Sequence, residues 1–144
     1  MPPEQNYKNH VRWFPLFHFV VVPLLLLCFT YLIVRFFQEP GPDRGMWVVL
    51  ALALILMNFA ARLQALKAQD RVIRLEERLR YREMLSPEIA ANAQNLPAGK
   101  MISLRFASDG ELAELITRVI DGKVSTAKEI KMAIREWRAD HLRV

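Results

Sequence analysis

The chain has 144 residues and a formal net charge of +5, enough length for one domain or for one small domain with a membrane anchor. Its single cysteine, Cys28, excludes an intrachain disulfide, and no cysteine–histidine set has the spacing of a metal site. The charge is also uneven: residues 1–61 hold only four basic and three acidic side chains, whereas both signs are dense from residue 62 onward. This shift in composition predicts an oily first part and a water-exposed second part.

The first apolar segment covers residues 14–37 and follows a short polar segment, residues 1–13. The run from Phe14 to Val34 carries no full charge and matches the length of about 20 residues that a transmembrane helix needs. Pro23 lies in its interior, where the missing N–H predicts a kink. The sequence therefore predicts a first transmembrane helix with a proline-induced distortion.

The second apolar segment covers residues 46–61 and is separated from the first by a short turn, residues 38–45. Two such segments this close together predict a hairpin that crosses a membrane twice. Basic residues in short flanks mark the cytoplasmic side, so we expect both termini in the cytoplasm. The same basic side chains are the predicted contacts with anionic lipid head groups: Lys8, Arg12, Arg62 and Lys67.

Two polar side chains lie inside the predicted spans at similar depths, His18 in the first and Asn58 in the second. A polar group in lipid needs a partner, so the sequence predicts a hydrogen bond between them. The alternative is a path for protons or a ligand, with Thr30 also facing inward. We favour the structural pair, since the spans contain no carboxylate to complete a proton relay.

Residues 62–85 contain no glycine or proline and predict a basic amphipathic helix that continues the second span as a cytoplasmic stalk. Its apolar positions predict a seam that packs on the chain's own domain or on a second subunit; they are Ala65, Ala68, Val72, Leu75 and Leu79. The basic residues alternate with four carboxylates and no nucleic-acid recognition motif accompanies them. We therefore favour lipid attraction and a solvated face over nucleic-acid binding.

Residues 86–144 predict a small α-rich domain with one or two short strands. A helix is expected from Ser86 to about Asn95, and alternating apolar residues predict a strand over 101–106, with residues 123–125 as a pairing partner. Two further helices begin at the capping-box patterns of residues 108–111 and 126–129, the second fading near His141. The predicted fold class is thus mainly α: a transmembrane hairpin, a stalk and this domain.

The domain lacks the patterns that catalysis requires. The sequence has no glycine-rich phosphate loop, no metal-ligand cluster and no histidine placed to activate a serine. We expect no enzyme activity, no catalytic or metal-binding residues and no cofactor. The residues predicted to dock a partner are Arg105, Arg135, Arg138 and Asp140, because the apolar stripes are needed for the core.

Three stretches resemble a bacterial family of small membrane proteins of unknown function, some of which carry a generic label of transporter permease. They are Gln5-Asn6-Tyr7-Lys8-Asn9-His10 with Pro15-Leu16-Phe17-His18-Phe19, then residues 104–109, then residues 130–140. The resemblance implies a fold and a location in the bacterial inner membrane, and no activity. We interpret Asn6, Asn9 and His10 as a polar cap on the first helix that meets lipid head groups; the alternative is a contact site for a partner or for the second helix.

The leading hypothesis is a non-enzymatic anchor, scaffold or accessory subunit that presents a cytoplasmic interaction domain. The first alternative is a transport component whose hairpins line a path by oligomerising. The second is a membrane-tethered nucleic-acid binder. The expected partners are a bilayer with anionic head groups and either a second copy, through a strand edge or the stalk, or a membrane complex.

Overall fold

The computed structural model describes residues 5–11 and 13–140. Contacts within the chain divide it into two units. One, the apolar unit, comprises residues 13–66. The other, the polar unit, combines the N-terminal segment, residues 5–11, with the described residues from Lys67 onward.

The apolar unit begins with a π-helical turn, Leu16–Val21, followed by helix α1, Val22–Gln38. The Val22 N–H bonds to the carbonyl oxygen of Phe17, five residues earlier, and Pro23 follows directly. Because proline has no N–H to offer, the widened turn lies where an ordinary helix would lose a hydrogen bond. The predicted distortion at Pro23 therefore takes the form of a π-helical turn on its N-terminal side.

Helix α2, Pro42–Met84, is a single helix of 43 residues that runs from the apolar unit into the polar unit. Both this helix and the one from Leu16 to Gln38 contain an 18-residue window apolar enough to cross a membrane, with mean hydropathies of 2.0 and 2.5. Arg44, in the first turn of α2, donates hydrogen bonds to the backbone and side chain of Glu39, the residue that follows α1. By length and composition, two helices can span a bilayer.

Four short helices complete the polar unit: α3, Pro87–Ala93; α4, Ala98–Leu104; α5, Asp109–Ile120; and α6, Ala127–Ala133. The apolar spacing of α5 predicts one buried stripe of Leu112, Leu115, Ile116, Val119 and Ile120. The first four are buried, whereas Ile120 is 40% exposed. Tyr81 from α2 and Leu85, directly after its end, belong to the same core. The end of the stalk therefore supplies part of the core of the C-terminal domain.

The prediction of a strand over 101–106 is wrong, because helix α4 occupies residues 101–104 and a turn follows at 105–106. Met101 and Leu104, three residues apart, both point into the core, and the Ser103 hydroxyl donates to the Gly99 carbonyl oxygen at 2.9 Å, as on a helix. Short apolar runs fit either period, and packing against α5 and α6 decides for the helix. Residues 123–125 form a turn, so the predicted pairing strand is also wrong.

The capping box at Thr126 and Glu129 is confirmed: the Glu129 N–H donates to the Thr126 hydroxyl, and the Glu129 carboxylate accepts from the Thr126 N–H. The Ser125 N–H and the Thr126 N–H both donate to the Glu129 carboxylate and lower its pKa. The capping box predicted at Ser108 is not formed, although helix α5 does begin directly after this residue. Ser108 donates its hydroxyl to Glu136 instead.

The predicted extent of the last helix, to about His141, is wrong: helix α6 ends at Ala133, and His141 itself lies outside the described residues. The Glu111 carboxylate accepts hydrogen bonds from the backbone N–H groups of Arg135 and Glu136, which draws them out of helical geometry. The chain then runs extended beside residues 106–108, with a single antiparallel bridge between Ala107 and Trp137. This extended segment brings the C-terminal residues to the site described next.

Candidate functional site

The polar unit holds a network of ion pairs at the base of the stalk, centred on the buried side chains of Glu77 and Arg80. Arg80, only 8% exposed, donates from Nε and Nη2 to the Asp109 carboxylate at 2.9 and 2.6 Å and from Nη2 to the Ala107 carbonyl oxygen at 2.7 Å. Its Nη1 reaches Glu77 at 3.3 Å, and Arg138 Nη1 lies 3.7 Å from the other oxygen of Glu77. This network joins helix α2 to the start of α5 and to the C-terminal segment.

A second ion pair lies beside it. Arg105 donates from Nε to the Asp140 carboxylate at 2.8 Å and from Nη1 to the Ile102 carbonyl oxygen. Its guanidinium carbon lies 4.0 Å from the centre of the Phe106 ring. A cavity of about 360 Å³ separates the two ion pairs and is lined by Glu76, Glu77, Arg80, Arg105, Arg138, Ala139 and Asp140. Its lining carries three arginines and three carboxylates, so the cavity offers little net charge to an ionic ligand.

The N-terminal motif packs onto this part of the polar unit. Asn6 and Asn9 fold the segment into a turn, because the Asn6 N–H donates to Asn9 Oδ1 at 2.6 Å and the Lys8 N–H donates to Asn6 Oδ1 at 2.9 Å. Asn side chains commonly stabilise turns in this way. The turn places His10 against the C-terminal residues.

His10 is bonded through both ring nitrogens. Its Nδ1 lies 2.7 Å from the Tyr7 carbonyl oxygen, and its Nε2 lies 3.1 Å from the Lys131 ammonium. This pattern fits a neutral ring that donates from Nδ1 and accepts at Nε2. The ring centroid is 5.9 Å from those of both Phe106 and Trp137.

Gln5 makes a second link between the two ends of the chain, since its side-chain oxygen accepts from the Asp140 N–H at 2.8 Å. We call the group formed by these contacts the terminal cluster: Gln5, His10, Arg105, Phe106, Lys131, Trp137 and Asp140. All three stretches with the family resemblance contribute to it. Asn6 and Asn9 shape a turn, and His10 contacts the chain's own C-terminal segment. Contact of these residues with lipid head groups or with a partner stays a prediction.

The predicted docking residues differ in exposure. Arg135 and Arg138 are exposed, with side chains 71% and 55% accessible. Arg105 is 6% exposed and its partner Asp140 is only partly exposed, so the prediction of an exposed surface is wrong for Arg105. The physical reason is that Arg105 packs flat on Phe106 while Asp140 neutralises its charge.

The predicted hydrogen bond between His18 and Asn58 is not formed. His18 Nδ1 lies 2.9 Å from the Phe14 carbonyl oxygen, one turn earlier, so the ring is satisfied by its own backbone. The Asn58 side-chain nitrogen is buried and has no hydrogen-bond partner among the described residues. Thr30 donates to the Leu26 carbonyl oxygen at 2.8 Å, again within its own helix. These contacts give His18 and Thr30 local roles.

Among the predicted head-group contacts, Arg12 lies outside the described residues. Lys8 and Lys67 are exposed. The Arg62 guanidinium lies 5.6 Å from the centre of the Phe17 ring, a distance that suits a cation–π contact. Lipid contact by these residues stays a prediction. No group of three or more metal-ligating side chains comes together within residues 5–11 and 13–140.

Sequence reasoning missed the burial of Glu77 and Arg80, which it assigned to a solvated face. A signal for it exists in the sequence: the two opposite charges are three residues apart and lie between Ile73 and Tyr81, both also buried. The buried face of the stalk helix is therefore both charged and apolar, with an ion pair flanked by two large side chains.

Burial raises the pKa of Glu77, and Arg80 and Arg138 offset only part of this effect. Since the folded-state pKa is above the unfolded one, Glu77 destabilises the fold as pH rises through the folded-state value. We expect Glu77→Gln to remove this pH dependence. The free energy of unfolding of the wild type relative to the variant should fall as pH rises above the ordinary glutamate pKa of 4.5, measured by denaturant titration; a wild-type advantage that grows with pH would contradict it.

No curated protein and no solved structure matches the chain. A family model does match, over residues 1–144. The residues of the terminal cluster thus all fall inside one family match. On this match, the chain belongs to DUF6526, a family of unknown function.

Proposed function

We propose that this chain is a non-enzymatic integral protein of the bacterial inner membrane that anchors a small cytoplasmic interaction domain. The observation that carries the proposal is the exposure of large apolar side chains along both long helices. Phe19, Leu27 and Tyr31 are each more than 60% exposed on the first, and Leu56 and Met57 on the second. Soluble proteins rarely expose contiguous apolar surfaces of this extent, whereas a bilayer solvates them.

Contacts inside the apolar unit support an antiparallel hairpin. The Phe17 ring meets the Phe59 ring edge to face at 6.0 Å, and Arg62 follows on the same ring. At the other end, a Cβ placed on Gly45 would lie 3.5 Å from the Phe36 ring. Ends of the two helices that a hairpin brings together are thus in contact. The basic flanks then favour a cytoplasmic location for both termini.

The terminal cluster supports a binding rather than a catalytic role for the polar unit. Its charged side chains are bonded to one another and to backbone groups, which suits a rigid domain. Arg135 and Arg138 are the predicted docking residues that remain exposed. We propose that they lie on the surface that contacts a partner in a membrane complex.

Membrane fractionation of the full chain tests the proposal. Washing membranes with alkaline carbonate or high salt removes proteins held by charge, and only detergent releases proteins with spanning helices. We expect the chain to stay with the membrane through both washes. A matched variant with Lys67→Gln and Arg71→Gln, which weakens attraction to anionic lipid, should behave identically. Release of either protein by the washes would contradict the proposal.

A further inference from the structure

The predicted seam of the stalk is not the face of helix α2 that packs on the rest of the polar unit. Val72, Leu75 and Leu79 are 53%, 60% and 51% exposed, and Ala68 is exposed as well. The residues that α2 buries in the polar unit are Ile73, Glu77, Arg80 and Tyr81. At about 100° per residue, these two sets lie about 150° apart around the helix. The seam is therefore an accessible apolar stripe on a different face of the stalk from the buried one, and Val72 and Leu75 border Ala98 of α4 only across an open cavity.

The stripe has the spacing of a coiled-coil interface. Ala68, Val72, Leu75 and Leu79 are separated by four, three and four residues, which places them at alternating d and a positions of a heptad. In this register Arg71 and Arg78 occupy g positions, and Glu76 and Glu83 occupy e positions. Positions e and g flank the seam and set the choice and orientation of the partner helix.

These flanking charges are complementary in one arrangement. In a parallel, in-register pair of helices, a g residue faces the e residue five positions further along the other helix. Arg71 then faces Glu76 of the second copy, and Arg78 faces Glu83. Twofold symmetry repeats both contacts, which gives four attractive pairs. In an antiparallel pair, g faces g and e faces e, so the same charges would repel.

Within the part of the chain that the structure describes, none of these four side chains takes part in an ion pair. They are therefore available to a neighbouring helix. Arg71, Glu76 and Glu83 are exposed, and Arg78 is half-buried.

We propose that the stalk pairs with the stalk of a second copy of this chain as a parallel, in-register dimer through Ala68, Val72, Leu75 and Leu79. The parallel orientation rests on the proposed function, because two copies inserted in one membrane with the same topology point their stalks the same way. Two heptads are short for a free coiled coil. Confinement to one membrane raises the effective concentration of the two stalks and offsets this shortness.

Disulfide cross-linking of the full chain in native membranes tests the pairing. Single cysteines are placed at Val72 or Leu75 in a Cys28→Ser background, and the matched control is Lys67→Cys, exposed on the same helix but off the seam. We expect a cross-linked dimer at Val72 and Leu75 under mild oxidation and none at Lys67. Equal cross-linking at all three sites, or a product with the mass of another protein, would overturn the dimer.

Charge reversal tests the register. We define an acidic variant, Arg71→Glu with Arg78→Glu, and a basic variant, Glu76→Arg with Glu83→Arg, each carrying Val72→Cys and a different tag. Each variant alone should lose cross-linking about tenfold, as four exposed attractive pairs become repulsive. Coexpressed, the two variants should form the mixed dimer in preference to either homodimer. Mixed and like pairs in random proportion would overturn the proposed register.

The same membranes separate failure of this inference from failure of the proposed function. A chain that withstands the alkaline wash but gives no Val72 cross-link would overturn the dimer alone. A chain that the wash releases would overturn the proposed function and, with it, the reason for a parallel pair. Because the substituted seam side chains are exposed, loss of folding does not compete as an explanation.

Discussion

Replacing Arg80 by alanine should destabilise the polar unit by about 3 kcal/mol or more, because removing one partner leaves a buried charge without compensation. Glu77, 3% exposed, would keep only the longer contact to Arg138, and the Ala107 carbonyl oxygen would lose its donor. The measurement is denaturant unfolding of the full chain in mild detergent. Trp137 fluorescence reports on it in a background where Trp13 and Trp47 are phenylalanine.

The matched control is Arg82→Ala, an exposed arginine on the same helix, which should change stability by no more than about 0.5 kcal/mol. A double variant, Glu77→Leu with Arg80→Met, should be more stable than Arg80→Met alone, since an apolar pair often replaces a buried ion pair at little cost. Equal stability of Arg80→Ala and Arg82→Ala would show that the network does not hold the stalk to the domain.

Phe106→Ala should have the second large effect. It should lower the free energy of unfolding of the polar unit by about 3–5 kcal/mol, the usual cost of deleting a buried phenylalanine ring. Phe106 is fully buried, its ring centroid is 5.0 Å from that of Trp137, and Arg105 covers one face. The cavity would open where the two ends of the chain meet. The same unfolding measurement applies. The control is Met132→Ala, at a side chain that is 62% exposed, and its change in stability should be near zero.

Phe106→Ala should also loosen the N-terminal segment, because His10 packs against this ring. Hydrogen exchange of the amides of residues 5–11 should quicken in Phe106→Ala and not in Met132→Ala. A Phe106→Ala protein with native stability and unchanged exchange would mean that the terminal cluster is not a packed unit.

Helical periodicity was sufficient to predict α5, and four of the five residues of its predicted stripe are buried, with Ile120 the exception. It failed over residues 101–106, since a six-residue apolar run fits a strand and a helix equally well. The decision there depends on contacts with α5 and α6, distant in sequence. Local pattern thus predicts long elements and leaves short ones to tertiary packing.

The stalk shows a second limit. The apolar spacing of Val72, Leu75 and Leu79 identified a seam, but the chain packs on its own domain through the face that carries Glu77 and Arg80. A local sequence pattern does not show which of the two faces of a helix packs on the chain's own domain, because buried ion pairs and solvated charges give the same pattern. The terminal cluster shows the limit most clearly: Gln5 and Asp140 are 135 residues apart.

The resemblance was informative in a way that periodicity was not. The three stretches that carry it are separated along the sequence, yet Gln5, Phe106 and Trp137 all belong to the terminal cluster. The resemblance thus marked residues that meet in this cluster, although their contacts could not be derived from the spacing of the residues.

Cysteine labelling from outside intact bacterial cells tests the central claim, that the chain crosses the membrane twice with both termini inside. In a Cys28→Ser background, single cysteines replace Gly41 in the turn, where a Cβ meets no atom within 4 Å, and the exposed Lys8 and Ala91. An impermeant maleimide should label Gly41→Cys in intact cells and should label Lys8→Cys and Ala91→Cys only after permeabilisation. Labelling of Lys8→Cys and Ala91→Cys from opposite sides, or protection of Gly41→Cys in intact cells, would contradict the account.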